Sequence, residues 1–139
     1  MWNPETGVLN RAIVAKPAAR IAEIAGIDLP GGKTFLMVEE TGVGKGYPFS
    51  GEKLSVTMAL YRWKEFSEAV ALVNEITSFS GAGHSCGIHS EDEARIQELS
   101  LNVKVSRVMI RQPQCLANSG AWTNGMPMSL TLGCGSRWC

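Results

Sequence analysis

Apolar runs of strand length alternate with stretches of helical periodicity through most of this chain, and that alternation constrains its fold more than any other feature. Phe66, Ala69, Val70, Val73 and Ile76 recur at three- and four-residue steps, while Glu68, Asn74 and Glu75 lie off the stripe. An amphipathic helix over 65–79, packed on a sheet, requires that pattern. Ahead of it, Thr34-Phe35-Leu36-Met37-Val38-Glu39 is an unbroken run of strand length, read as a strand buried on both faces, and 55–63 is a second β-rich run. Residues 84–89 and 105–110 are further strands. Pro17, then Ala18, Ile21, Ala22, Ile24 and Ala25, mark a short buried helix stopped by Gly26. Ser90 followed by Glu93 reads as a capping box for a helix over 91–101, with Glu91 and Asp92 complementing its dipole. The order helix-strand-strand-helix-strand-helix-strand implies an α/β fold with right-handed crossovers: a largely parallel sheet with helices on both faces.

With 139 residues the chain is long enough for one domain with a real core, here residues 1–139 as a whole. Gly42, Gly44, Gly46 and Pro48 make a long flexible loop between the first two strands, the kind of segment on which function tends to sit. After Pro113 the periodicity ends. Residues 113–139, rich in Gly, Ser, Asn and Met, are expected to form an irregular tail that lines a pocket.

Thirteen Lys+Arg balance thirteen Asp+Glu, and no basic stripe with interleaved aromatics is present, so a nucleic-acid partner is not expected. No apolar stretch approaches a membrane span and the start is unlike a signal peptide, which reads as a cytoplasmic protein without a membrane partner. The four cysteines, Cys86, Cys115, Cys134 and Cys139, show neither a C-x-x-C pair nor a disulfide framework and read as reduced thiols. Gly31-Gly32-Lys33-Thr34 resembles the end of a phosphate-binding loop, but Ile27 stands where its first glycine belongs and a strand, not a helix, follows. His84 and His89, five apart on a strand, face opposite sides and cannot share a metal.

Four ordered blocks remain: Pro48-Phe49-Ser50-Gly51-Glu52-Lys53-Leu54-Ser55, Gly81-Ala82-Gly83-His84-Ser85-Cys86-Gly87-Ile88-His89-Ser90, Ser106-Arg107-Val108, and Leu130-Thr131-Leu132-Gly133-Cys134-Gly135-Ser136. Together they resemble the CoA-acylating aldehyde dehydrogenases, in the C-terminal part of the catalytic domain. Asn10-Arg11-Ala12-Ile13-Val14 is similar to the stretch downstream of that family's catalytic cysteine. Arg111-Gln112-Pro113-Gln114 and Trp122-Thr123-Asn124-Gly125-Met126-Pro127 look most similar to the branch acting on sulfoacetaldehyde or related short acidic aldehydes.

The resemblance implies oxidation of an aldehyde through a cysteine thiohemiacetal, hydride transfer to NAD or NADP, and passage of the acyl group to CoA. It implies that Glu52 binds the nicotinamide ribose and that His84 is an active-site residue orienting CoA or assisting acyl transfer. Arg111 would read a sulfonate or carboxylate tail, because its fork donates parallel hydrogen bonds; a solvated strand-end arginine is the plain alternative. The segments around Glu52, His84 and 133–136 are expected to meet at one pocket. Cys86, although two residues from His84 on a strand, fits small-residue packing better than an attacking thiolate.

None of the four cysteines occupies the family's nucleophile motif, and no nucleotide-binding domain is recognisable. The expected reading is a fragment inactive alone, binding neither cofactor nor CoA tightly, with self-association through exposed sheet or pocket surface. Val56 replaces the family's usual proline, and Arg137 with the ending Trp138-Cys139 departs from its pattern, as a truncation or frameshift would. The alternatives are a non-catalytic α/β binding module, a gene remnant, or a separate thiol enzyme using Cys86 and His84.

Overall fold

The structure, a computed structural model, describes residues 1–3, 5–120 and 124–129. The Leu130–Ser136 block and Trp122-Thr123, both used above, lie outside the described residues. The chain divides into two compact units, Met1–Arg62 and Trp63–Cys139.

In the first unit Asn10 caps a 3-10 turn, Arg11–Ile13, its side chain accepting from the Ala12 N–H at 2.9 Å. Helix α1 (Ala18–Ala25) starts after Pro17 and buries Ala18, Ile21 and Ala22. It ends at Gly26, whose φ of 66° takes the left-handed conformation that a side chain would disfavour. Strand β1 (Leu36–Glu39) runs parallel to β2 (Thr57–Leu60), in register from Leu36 opposite Thr57 to Glu39 opposite Leu60. The reading of 34–39 as buried on both faces is corrected here. Leu36 and Val38 are half-buried, whereas Met37 is 53% exposed, as are Phe35, Met58 and Leu60 to similar degrees. A continuous apolar run reports what a strand could bury, and among the described residues one strand, β2, pairs with it.

The second unit opens with α2 (Phe66–Phe79). The Glu68 carboxylate reaches back to the N–H groups of Lys64 and Glu65 at 2.9 and 3.3 Å. These bonds to the charged form hold its carboxyl below the usual range. Strands β3 (Gly83–Ile88) and β4 (Val105–Ile110) pair in parallel across the crossover helix α3 (Glu93–Asn102). The cap of α3 differs from the expected box. Asp92, not Ser90, accepts from the N–H groups of Ala94 and Arg95, and Ser90 accepts from the Asp92 N–H one step earlier.

Val70 of α2, Ile88 of β3 and Ile96 and Leu99 of α3 form the core, with Phe66, Cys86, Val103, Val108 and Ile110 packed on it. Both long helices therefore cover the face of the β3–β4 pair that carries Cys86 and Ile88. The tail begins with a short helix, α4 (Gln114–Ala117), whose Gln114 reaches the other face at Ser85. The fold is thus α/β with parallel strands and helices, the strands of the described residues divided into two pairs.

Candidate functional site

Glu52 stands exposed on a turn that its neighbours hold in place. Lys53 folds back so that its ammonium donates to the carbonyls of Phe49 and Gly51 at 2.7 and 2.9 Å. Burial pushes this ammonium below the usual lysine range, and Glu40 acts in the opposite direction. The Glu40 carboxylate accepts from the N–H groups of Thr41 and Phe49. Ser50, 5% exposed, accepts from the Gly44 N–H at 3.0 Å and donates to the Tyr47 carbonyl at 2.8 Å. The tyrosine ring lies over Gly42, where a Cβ would come within 2.3 Å of it, and Tyr61 donates to the Gly42 carbonyl. The stretch read as a flexible loop is thus tied by its own side chains.

His84 is the second residue of β3, after Gly81-Ala82-Gly83, in which both glycines have positive φ. Its Nδ1 lies 2.7 Å from the Ser85 hydroxyl, which also receives the Gln114 amide N–H at 2.9 Å. Among the described residues no hydrogen bond joins His84 to Cys86. The Cys86 side chain packs on the core instead, and burial pushes its thiol up, away from the thiolate a nucleophile needs.

Arg111, in a left-handed conformation with φ 54°, ends β4 and pairs with Glu91 and Glu93, both at 3.2 Å. Its fork is already met by two carboxylates ahead of and within the first turn of α3. Arg107, in the Ser106-Arg107-Val108 block, donates to the Asn118 carbonyl at 2.8 Å. His89 is exposed, and no group of three metal-ligating side chains occurs among the described residues. No helix of the described residues is long and apolar enough to cross a membrane.

Glu52 belongs to the first unit and His84 and Arg111 to the second, and the expected pocket also draws on 133–136, outside the described residues. Sequence reasoning missed Lys53, Ser85 and Gln114 as partners. Their contacts reach across 4, 1 and 29 residues to groups that no hydrophobic period marks.

No protein-family model matches the chain. The acylating sulfoacetaldehyde dehydrogenase of Cupriavidus necator is 42% identical over 138 residues, 98% of this chain and 28% of that enzyme. The corresponding enzyme of Bilophila wadsworthia is 40% identical over 139 residues, 98% and 30% of the two lengths. The bifunctional aldehyde-alcohol dehydrogenase of Escherichia coli is 38% identical over 136 residues, 95% and 15%. Among solved structures, an acetylating aldehyde dehydrogenase from Geobacillus thermoglucosidasius superposes with a TM-score of 0.88 at 41% identity, covering 99% of this chain and 29% of that one. The chain spans less than a third of the length of these relatives. Over nearly its whole length it is homologous, in sequence and in fold, to one segment of the acylating aldehyde dehydrogenases.

Proposed function

We propose that this chain supplies part of the catalytic domain of an NAD(P)-dependent, CoA-acylating aldehyde dehydrogenase acting on a short, acidic or sulfonated aldehyde. The observation that carries the reading is 42% identity with an acylating sulfoacetaldehyde dehydrogenase across 98% of the chain. NAD or NADP, when bound, accepts the hydride, and CoA takes the acyl group. Glu52 suits the ribose, because an exposed carboxylate on a held turn can accept from two vicinal hydroxyls without a large desolvation cost. His84 stands by the acyl group as a hydrogen-bonding side chain. An acidic substrate tail would reach Arg111 by displacing Glu91 or Glu93 from its fork.

None of the four cysteines lies in the nucleophile motif of the family the chain resembles, so no covalent thioester is expected on these 139 residues alone. Mixed with sulfoacetaldehyde, CoA and NAD, the chain should yield no reduced cofactor; turnover abolished by Cys86→Ala would overturn this and make Cys86 the nucleophile. Joined to the segments that complete the enzyme, Glu52→Gln should raise KM for the cofactor while changing stability by less than about 1 kcal/mol. An unchanged KM would remove Glu52 from the site. We also propose that the isolated chain self-associates through its exposed sheet face.

A further inference from the structure

We infer that Gln114, acting through the Ser85 hydroxyl, sets the tautomer of His84 so that the ring presents an Nε2–H donor. The geometry begins with the turn after β4. Arg111 takes its left-handed φ, Pro113 stands at the N-cap of α4, and the Gln114 side chain then lies along β3. There its amide nitrogen is 2.9 Å from Ser85 Oγ. Its amide oxygen occupies space next to Gly87, 3.2 Å from where a Cβ would stand, so the lack of a side chain at 87 gives the amide its place.

Ser85 is 9% exposed, and among the described residues its hydroxyl has two partners, Gln114 Nε2 and His84 Nδ1. An amide N–H can only donate, so the serine oxygen accepts from Gln114. The hydroxyl hydrogen must then go elsewhere, because leaving a buried donor unmade costs about 1–3 kcal/mol. The remaining partner is His84 Nδ1, 2.7 Å away. A neutral imidazole that accepts at Nδ1 carries its hydrogen on Nε2. Gln114 is therefore a positioning residue with a direction: it donates, Ser85 passes the polarity on, and His84 offers N–H rather than a lone pair. A ring in that state suits an oxygen that gathers charge, as the carbonyl oxygen of a thioester does during acyl transfer. That last role rests on the function proposed above; the relay does not.

The test uses the 139-residue chain labelled with 15N, with His84 and His89 its only histidines. Two-bond 1H–15N correlation spectra at about pH 8.5, where an ordinary imidazole is neutral, read which ring nitrogen carries hydrogen. We expect His84 as the Nε2–H tautomer. Gln114→Leu should release it to a mixture. Gln114→Glu, nearly the same shape, can only accept, so the serine hydroxyl turns to it and the His84 Nδ1 gains the hydrogen. The exposed His89 should not change, and the amide shifts of β3 check that each variant is folded. Hydrogen on Nδ1 in the unaltered chain, or an Nε2–H tautomer kept in both variants, would overturn the relay. In the completed enzyme Gln114→Glu should lower kcat by about tenfold or more with the aldehyde KM unchanged. A tautomer that switches without loss of kcat would overturn the role of His84 and leave the relay standing.

Discussion

Lys53 spends its ammonium on two carbonyls of its own turn, and this shapes the backbone on which Glu52 stands. Lys53→Met keeps most of the apolar stem and removes both bonds. It should destabilise the first unit by about 1–2 kcal/mol and speed amide exchange across residues 49–52; exchange as slow as in the unaltered chain would show the turn to be held by other groups. Cys86 gives a second residue-scale expectation. Burial raises its thiol, so at pH 8 it should react with iodoacetamide more slowly than the exposed Cys115, as peptide mapping by mass spectrometry would read. The sign of the linked stability follows. As pH rises through the ordinary thiol range the unfolded chain releases its proton before the folded chain does, so the contribution of Cys86 is full below that range and declines above it. The sequence singles out Glu52 and His84 as candidates because they sit in blocks resembling a known family. It does not single out Lys53, Ser85 and Gln114, because a hydrogen bond has no period.

At the scale of elements, polar side chains decide where helices begin and how they are tied. Asp92 accepts from two N–H groups at the start of α3, so Asp92→Ala should cost about 1 kcal/mol in urea unfolding, and Ser90→Ala less; the reverse order would restore the expected capping box. Asn74, which the periodicity left as a polar residue off the stripe, joins α2 to the end of α3. Its amide donates to the Asn102 carbonyl and accepts from the Lys104 N–H, both at 2.9 Å. Gly120 has φ 80°, and a Cβ there would fall 2.4 Å from the Pro127 carbonyl oxygen. The same tail segment folds back through Asn124 to Ala117 and Ser129 to Ser119. Gly120→Ala should therefore unfasten residues 124–129 and cost on the order of 1–3 kcal/mol, seen as faster amide exchange at Ser129. Element order was legible from periodicity, down to Val105–Ile110 and the Gly26 stop. The caps were legible only as a choice among nearby acidic and hydroxyl residues, since several could serve and geometry selects one.

For the whole molecule, one face of the β1–β2 pair exposes Phe35, Met37, Met58 and Leu60 beside the Glu39–Arg62 ion pair, and among the described residues both strands are edges. The isolated chain should sediment with concentration-dependent association that Met37→Lys with Met58→Lys weakens; a monomer at every concentration would exclude self-association through that face. The sequence by itself determined the α/β class, the order of the elements and the parallel sense of the pairs. Those follow from local periodicity and from the short crossovers it permits. Only the tertiary structure decided that, among the described residues, the strands divide into two pairs and β1 leaves Met37 exposed, and that Cys86 turns to the core while Gln114 reaches Ser85. Burial and long-range hydrogen bonds depend on which segments meet in space, and the pattern of residues along one segment does not contain that.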